Sequence, residues 1–485
     1  MTEVDLERFP RKDVELPSLD DSEGNPLRAW AWKVTIEGEP TEPKALLKGR
    51  TVTVKDTVCV AGVPQLFGTD AFTDFVPSMD ATAVTRMLEH GAKFVGKAAC
   101  ENFSHGPVSH SSPRGPVENP YARGFSTGGS SSGCGALVGS GAVDLGIGGD
   151  QGGSIRIPAS LCGLVGLKPT FGLVPYTGVL SSATEVDHIG PMTRTTADAA
   201  ILLEAIAGDD NIDDRSAGAP ARKDIPAYSE LLLAAREKPL AGKTIGILTE
   251  GFAHKAIDPN VARCVREAAA KYTELGATVK EVTIPLHTLT EALCHVQNKF
   301  SSCQTRQGRQ VGRRGLYVNE YFDKVCPWTQ DKYEKAKYYV TGTAMSGEYG
   351  WQAHPLAYGR TINLIRRLRD NYDALLASCD AIVMPTVVQP PRRHAPPEAG
   401  PLGWASCTPG IISNTAASNM TGHPSITLPV GFTPPHKDDI KAPEDAEIKL
   451  PCGMMLVGRM YDDATLLALA DAWERKWDWK TLNFD

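Results

Sequence analysis

"GGSSSGCGALVGSGAVDLGIGGDQGGSIRIPASLCGLVGLKPTFG", Gly128 to Gly172, puts two glycine–serine clusters on one short stretch, with Ser130 and Ser154 24 residues apart. Glycine is the residue for places where backbone must approach something closely or turn where a Cβ would clash. Successive free N–H groups in such a turn form a concave nest for negative charge. A serine closing that nest could act as a nucleophile beside its own oxyanion hole, or could simply cap a solvated turn. Three familiar motifs fail here. A phosphate loop needs lysine after the second glycine of G-x-x-x-x-G, and Cys134 follows Gly133. Gly129 to Gly133 reads G-x-S-x-G, but a nucleophile elbow needs a strand directly before it, and "NPYARGFST" is not a buried strand. A dinucleotide fingerprint starting at Gly146 meets Gln151 where its last glycine belongs.

Outward from this stretch the chain reads as α/β. "TVTVKDTVCV", Thr51–Val60, is rich in β-branched residues and predicts a strand. "DATAVTRMLEHGA" predicts a helix capped by Asp80 and ended by Gly91, and "KFVGKA" predicts the next strand. Strand and helix alternate to about residue 210, the pattern of a sheet packed with helices. Residues 1–45 read as an irregular lead-in with one short helix. After a connector with a helix over 215–239, a second β-α-β passage runs from "KTIGILTE" to "TVKEVTIP". Residues 286–375 are helical by pattern and low in glycine, which suggests a cap. "CDAIVMP" and "HPSITLPVGF" predict late strands, and "DDATLLALADAWERK" a terminal helix.

Composition narrows the function. The 485 residues are 42% hydrophobic and 22% charged, ordinary values for a soluble globular chain. A net charge of −7, with "GRQVGRRG" the densest basic patch, argues against a broad grip on nucleic acid. The 11 cysteines include no C-x-x-C and no zinc spacing, so reduced thiols and no metal site are expected. The charged N-terminus and the lack of any long apolar run predict neither a signal peptide nor a membrane span, and hence a cytoplasmic protein.

The stretch Gly128–Gly172 resembles the signature of the amidase signature family. "VTVKDTV" around Lys55, "DHIGPMTRT", "NMTGHPSITLPVG" and "MMLVGRMYDDATLLALA" extend the resemblance over nearly the whole chain. "GGDQGGSIRIP", "GLVPYTGV" and "EVDHIGPM" are most similar to the amidases that accompany nitrile hydratases. The resemblance implies a single domain over 1–485, with the signature core at 51–210 and a helical cap or substrate wall at 286–375. Its fold would be a large twisted mixed β-sheet flanked by helices on both faces. It implies a catalytic triad of Lys55, Ser130 in a cis peptide, and the nucleophile Ser154. The backbone N–H groups of Gln151, Gly152, Gly153 and Ser154 would form the oxyanion hole. Gly129, Ser131 and Tyr176 become candidates for substrate binding, and Asp150 and Arg156 for structural support. The "HGPVSHSS" and "VPYTGV" loops would line the pocket. No cofactor is implied, and a homodimer is among the assemblies the family allows.

The chemistry is coherent without the family. A serine hydroxyl needs a base within hydrogen-bond reach. Lysine serves only when neutral, and burial on an apolar strand lowers its pKa. A hydroxyl can donate and accept at once, as a relay must. Asp187-His188 does not supply the base, because neighbours on a strand point to opposite faces. Taken with the resemblance, the expected function is a serine amidohydrolase acting on a small-molecule acyl amide. Carbamate (urethane) or ester hydrolysis by the same triad is the alternative. An inactive binding protein and one subunit of a glutaminyl-tRNA-forming amidotransferase stand further off.

Overall fold

The computed structural model describes residues 6–18, 23–396 and 398–482. One sheet of twelve strands runs through it: β1 (Lys12–Glu15), β2 (Trp30–Glu37), β3 (Thr51–Lys55), β4 (Lys93–Ala98), β5 (Leu145–Asp150), β6 (Val165–Lys168), β7 (His188–Thr193), β8 (Thr244–Leu248), β9 (Thr278–Val282), β10 (Ala381–Pro385), β11 (Ser425–Thr433) and β12 (Leu450–Val457). Their spatial order is β1-β2-β4-β3-β5-β7-β6-β11-β12-β10-β8-β9. The sheet is mixed. β3 is parallel to β4 and β5, and β8 to β9 and β10, while β5, β6 and β11 meet their other neighbours antiparallel.

Period-two alternation sorts the side chains onto two faces. Val52 and Val54, Leu145 and Ile147, Val165 and Leu167, Val383, Met454 and Leu456 share the larger core with helices Thr82–Glu89, Thr196–Ile206, Pro259–Ala270 and Asp463–Lys476. The intervening positions face the other way. Ile382, Met384, Met455 and Val457 pack there with helices Ala357–Leu376 and Thr415–Thr421. Gly146, Gly148 and Gly166 let helices Ser132–Gly139 and Arg156–Leu161 lie close on the same face, where a Cβ on Gly166 would stand 2.5 Å from Ala159 Cβ. Helices thus flank both faces. Lys55 belongs to this second, glycine-thinned face.

Three local expectations change. Residues 12–15 and 30–37 are antiparallel strands, not an irregular lead-in with a helix; "WAWKVTIE" has the aromatic and β-branched residues of a strand and pairs with β4. The strand at Thr51 stops at Lys55 instead of Val60, because the Asp56 carboxylate accepts the N–H groups of Leu66 (2.9 Å) and Phe67 (2.8 Å) and turns the chain. Asp80 does not cap the helix, which begins at Thr82. Its carboxylate is held by Arg11 and by the Ala61 N–H at 2.8 Å. Residues 286–375 hold helices Thr290–Arg306, Asn319–Val325, Gln330–Lys335, Tyr338–Ala353 and most of Ala357–Leu376. Among the described residues no helix is long and apolar enough to cross a membrane.

Candidate active site

Lys55 ends β3 with its side chain wholly buried. Its Nζ donates to Ser130 Oγ at 2.7 Å and to the Gly149 carbonyl at 3.4 Å. The adjacent Asp56 does not neutralise it, being engaged by Lys97 at 2.9 Å in a buried ion pair. Burial pushes the Lys55 amine below its ordinary value, opposed only by the more distant fields of Cys100, Cys134, Asp150 and Glu101. The Gly129–Ser130 peptide is cis. Gly129 has no room for a side chain, since a Cβ would stand 2.0 Å from the Val108 carbonyl.

Ser131 knits the two glycine–serine clusters together. Its hydroxyl donates to the Gly149 carbonyl (3.1 Å) and accepts the Gly149 N–H (3.2 Å), while its own N–H donates to the Ser154 carbonyl (3.3 Å). The loop that follows is braced by Asp150. This carboxylate accepts the N–H groups of Gly153 (2.7 Å) and Ile155 (3.0 Å), two guanidinium N–H groups of Arg156 (3.0 Å each) and Asn419 Nδ2 (2.8 Å). Burial works against its charge, yet Arg156 holds it well below the usual carboxylate range. Arg156 reaches on to the Thr415 carbonyl, Ser418 Oγ and Asn419 Oδ1 at 2.6–2.8 Å. Thr415 Oγ1 in turn donates to the Gly152 carbonyl at 2.6 Å. Gly153 takes φ +138°, and a Cβ there would fall 2.4 Å from Thr415 Oγ1.

Ser154, Gln151 and Gly152 face a cavity of ≈ 340 Å³. Ser104, His105, Gly106 and Pro107 line it beside them. Helix Thr290–Arg306 contributes Glu291, Cys294 and Asn298, and helix Tyr338–Ala353 contributes Tyr338, Tyr339 and Thr343, while Ile157, Ile411 and Ile412 add apolar surface. Lys55 and Ser130 lie behind this surface, fully buried.

The sequence candidates therefore divide. Lys55 and Ser130 touch, and Ser154, Gln151 and Gly152 line the cavity. The Gly153 N–H, expected among the oxyanion donors, is engaged by Asp150. Gly129 and Ser131, expected at the substrate, are bracing residues outside the cavity lining. Tyr176 is also outside it: its hydroxyl accepts Gln151 Nε2 (3.0 Å) from beneath, and "VPYTGV" does not reach the cavity. Asp187 binds Arg215 at 3.0 Å and His188 Nδ1 meets the Val186 carbonyl at 2.8 Å, so the two make no catalytic pair. Sequence reasoning missed Ser104, Cys294, Asn298 and the Tyr338–Tyr339 pair. Only the helical pattern of 286–375 pointed towards the last three.

Fold and site together define an α/β protein with a desolvated lysine bonded to a serine behind a cavity-facing serine loop. The chain belongs to the amidase signature family: the family model described as Amidase matches residues 25–467. It is similar to the enantioselective amidase of Rhodococcus rhodochrous, 36% identical over 453 residues that cover 92% of this chain and 83% of that one. It is also similar to a glutamyl-tRNA(Gln) amidotransferase subunit of Nitratidesulfovibrio vulgaris, 34% identical, covering 88% and 83% respectively. Among solved structures, the native peptide amidase of Stenotrophomonas maltophilia superposes with a TM-score of 0.68 at 27% identity, covering 89% of this chain and 83% of that one.

Proposed function

We propose that this protein hydrolyses the carbon–nitrogen bond of a small-molecule acyl amide through an acyl-enzyme on Ser154. Amide hydrolysis as the general reaction is supported by the family and by the amidase relatives. The observation that carries the finer reading is the 2.7 Å bond to Ser130 from a wholly buried Lys55 that has no carboxylate bonded to it among the described residues. A neutral amine there is a base. Ser154 attacks the acyl carbonyl and its proton passes through Ser130 to Lys55. The oxyanion is held by the N–H groups of Gln151, Gly152 and Ser154, each such donor typically being worth about 3–4 kcal/mol in the transition state. The amine leaves protonated, and water, giving its proton back along the relay, releases the acid. Asp150, Arg156 and Ser131 keep the loop in register. Eleven unpaired cysteines fit a reducing, cytoplasmic setting.

Ser154→Ala should remove turnover and labelling by a serine-directed fluorophosphonate while leaving the fold intact; full retained activity would refute the assignment. Because Lys55 acts only unprotonated, kcat/KM should fall on the acid side. Its limb should lie below the ordinary lysine pKa of about 10.4. A flat profile counts against a lysine base. Ammonia release from a panel of aliphatic and aromatic amides, carbamates and glutamine identifies the acyl group. Glutamine cleavage alone would favour the second reading, one subunit of an amidotransferase, for which the amidotransferase relatives are the support.

A further inference from the structure

Ser104 stands where a second route to the proton store would have to begin. Its Oγ lies 3.2 Å from Ser130 Oγ, and it lines the same cavity as Ser154, whereas Ser130 does not. Among the described residues it is the cavity-lining side chain bonded to Ser130. His105, next in the chain, turns its Nε2 to Thr343 Oγ1 at 2.9 Å, so its imidazole is occupied elsewhere.

The backbone is bent to place this hydroxyl. Phe103 and Ser104 adopt φ +50° and +55°, left-handed conformations that ordinary residues avoid and that cluster at functional sites when surrounding structure enforces them. The enforcement is visible. The Phe103 ring is locked among Phe67, Phe72 and Trp328 at centroid distances of 5.1–6.2 Å, and its N–H donates to the Phe67 carbonyl at 3.0 Å. The Ser104 N–H donates to the Glu101 carbonyl (2.7 Å), and the Glu101 N–H donates to the Ser130 carbonyl (3.2 Å), so one residue ties both serines to the same frame.

We propose that Ser104 is a further catalytic residue of this site, the hydroxyl that hands the proton held by the relay to the departing nitrogen. This rests on the reading above, in which Lys55 stores the proton taken from Ser154. As the tetrahedral intermediate collapses, the C–N bond breaks and its electron pair stays on nitrogen. That nitrogen takes the Ser104 hydroxyl proton, Ser104 takes one from Ser130, and Ser130 takes one from the Lys55 ammonium, which returns to the neutral amine. In that reading Ser154 hands its proton to Ser130 and so to Lys55 without passing through Ser104, so attack and leaving-group protonation use different mouths of one relay.

The test compares the primary amide and the p-nitrophenyl ester of one acyl group, taken from the best-cleaved amide of the panel. Ammonia cannot leave without a proton, whereas p-nitrophenolate can. Ser104→Gly removes the hydroxyl and relaxes the left-handed backbone, so folding is not at risk; Ser104→Ala is the companion variant. In both, kcat/KM for the amide should fall about 100-fold, a typical loss for general acid catalysis. The ester value should stay within about threefold, since attack is untouched. Equal losses on both compounds would make Ser104 structural and overturn the proposal, as would an unchanged amide rate. Ser154→Ala run alongside separates the two levels: if it cleaves both compounds normally, the nucleophile reading beneath fails instead.

Discussion

Glu101 is wholly buried between the segments that carry Ser104 and Ser130. Its carboxylate accepts the N–H of Ser111 at 2.9 Å and the hydroxyl of Ser132 at 3.2 Å, with no cation among the described residues bonded to it. Burial pushes it up to about 7, against the pull of those hydrogen bonds and of Lys55. The sign follows. Between the unfolded value of about 4.3 and 7 the folded state holds the extra proton, so Glu101 favours folding at low pH and that contribution is lost as pH rises. Glu101→Gln, which can still meet both serines, removes the ionisation. Its stability relative to the parent should therefore climb from pH 4.5 to pH 8, by at most about 3 kcal/mol. Urea unfolding of both proteins across that range measures it; parallel curves would show that the folded Glu101 ionises at its ordinary value and that burial does not raise it.

At the scale of elements, the loop between β5 and helix Arg156–Leu161 is the decisive piece. Its conformation is held by Asp150 and Arg156 and by the absence of a side chain at Gly153. Gly153→Ala places a methyl 2.4 Å from Thr415 Oγ1 and 2.6 Å from Ile157 Cδ1 at a φ that alanine disfavours. We expect a loss of about 2–4 kcal/mol in stability. Turnover should drop by more than the unfolded fraction explains, checked by assaying well below the melting temperature. This element was legible in advance because its glycines are there for close approach, and each leaves a trace in the sequence. Strands β3, β4, β8, β9, β10 and β11 were legible from their β-branched residues and alternation, as Val52 and Val54 repeat with period two, whereas β12 (Leu450–Val457) was not foreseen. Ser104 was not, because its importance lies in a backbone angle imposed by Phe67 and Trp328 from distant segments. Nor were Gln151's support by Tyr176 and Gly153's engagement by Asp150, since hydrogen-bond partners across a fold leave no spacing rule to read. The strands at 12–15 and 30–37 were overlooked although "WAWKVTIE" carried the signal.

Across the whole molecule, the cavity is made where two regions meet: the serine loops of the sheet's glycine-rich side, and the helices of 290–353. Cys294 faces the serine loop across this seam, its Sγ 3.8 Å from where a Cβ on Gly152 would stand. Burial pushes its thiol up to about 12, so it acts as a small apolar wall. Cys294→Phe should therefore cut kcat/KM for aromatic amides by about ten- to a hundredfold while acetamide changes far less. A uniform fall across the amide panel would deny the residue a part in selection. Arg156, finally, draws its companions from Thr415, Ser418 and Asn419, some 260 positions later in the chain. A nascent polypeptide still on the ribosome can finish the serine stretch long before those residues exist. Competence thus arrives only with the last quarter of translation, and a prematurely terminated product would carry every reactive group yet stay inert.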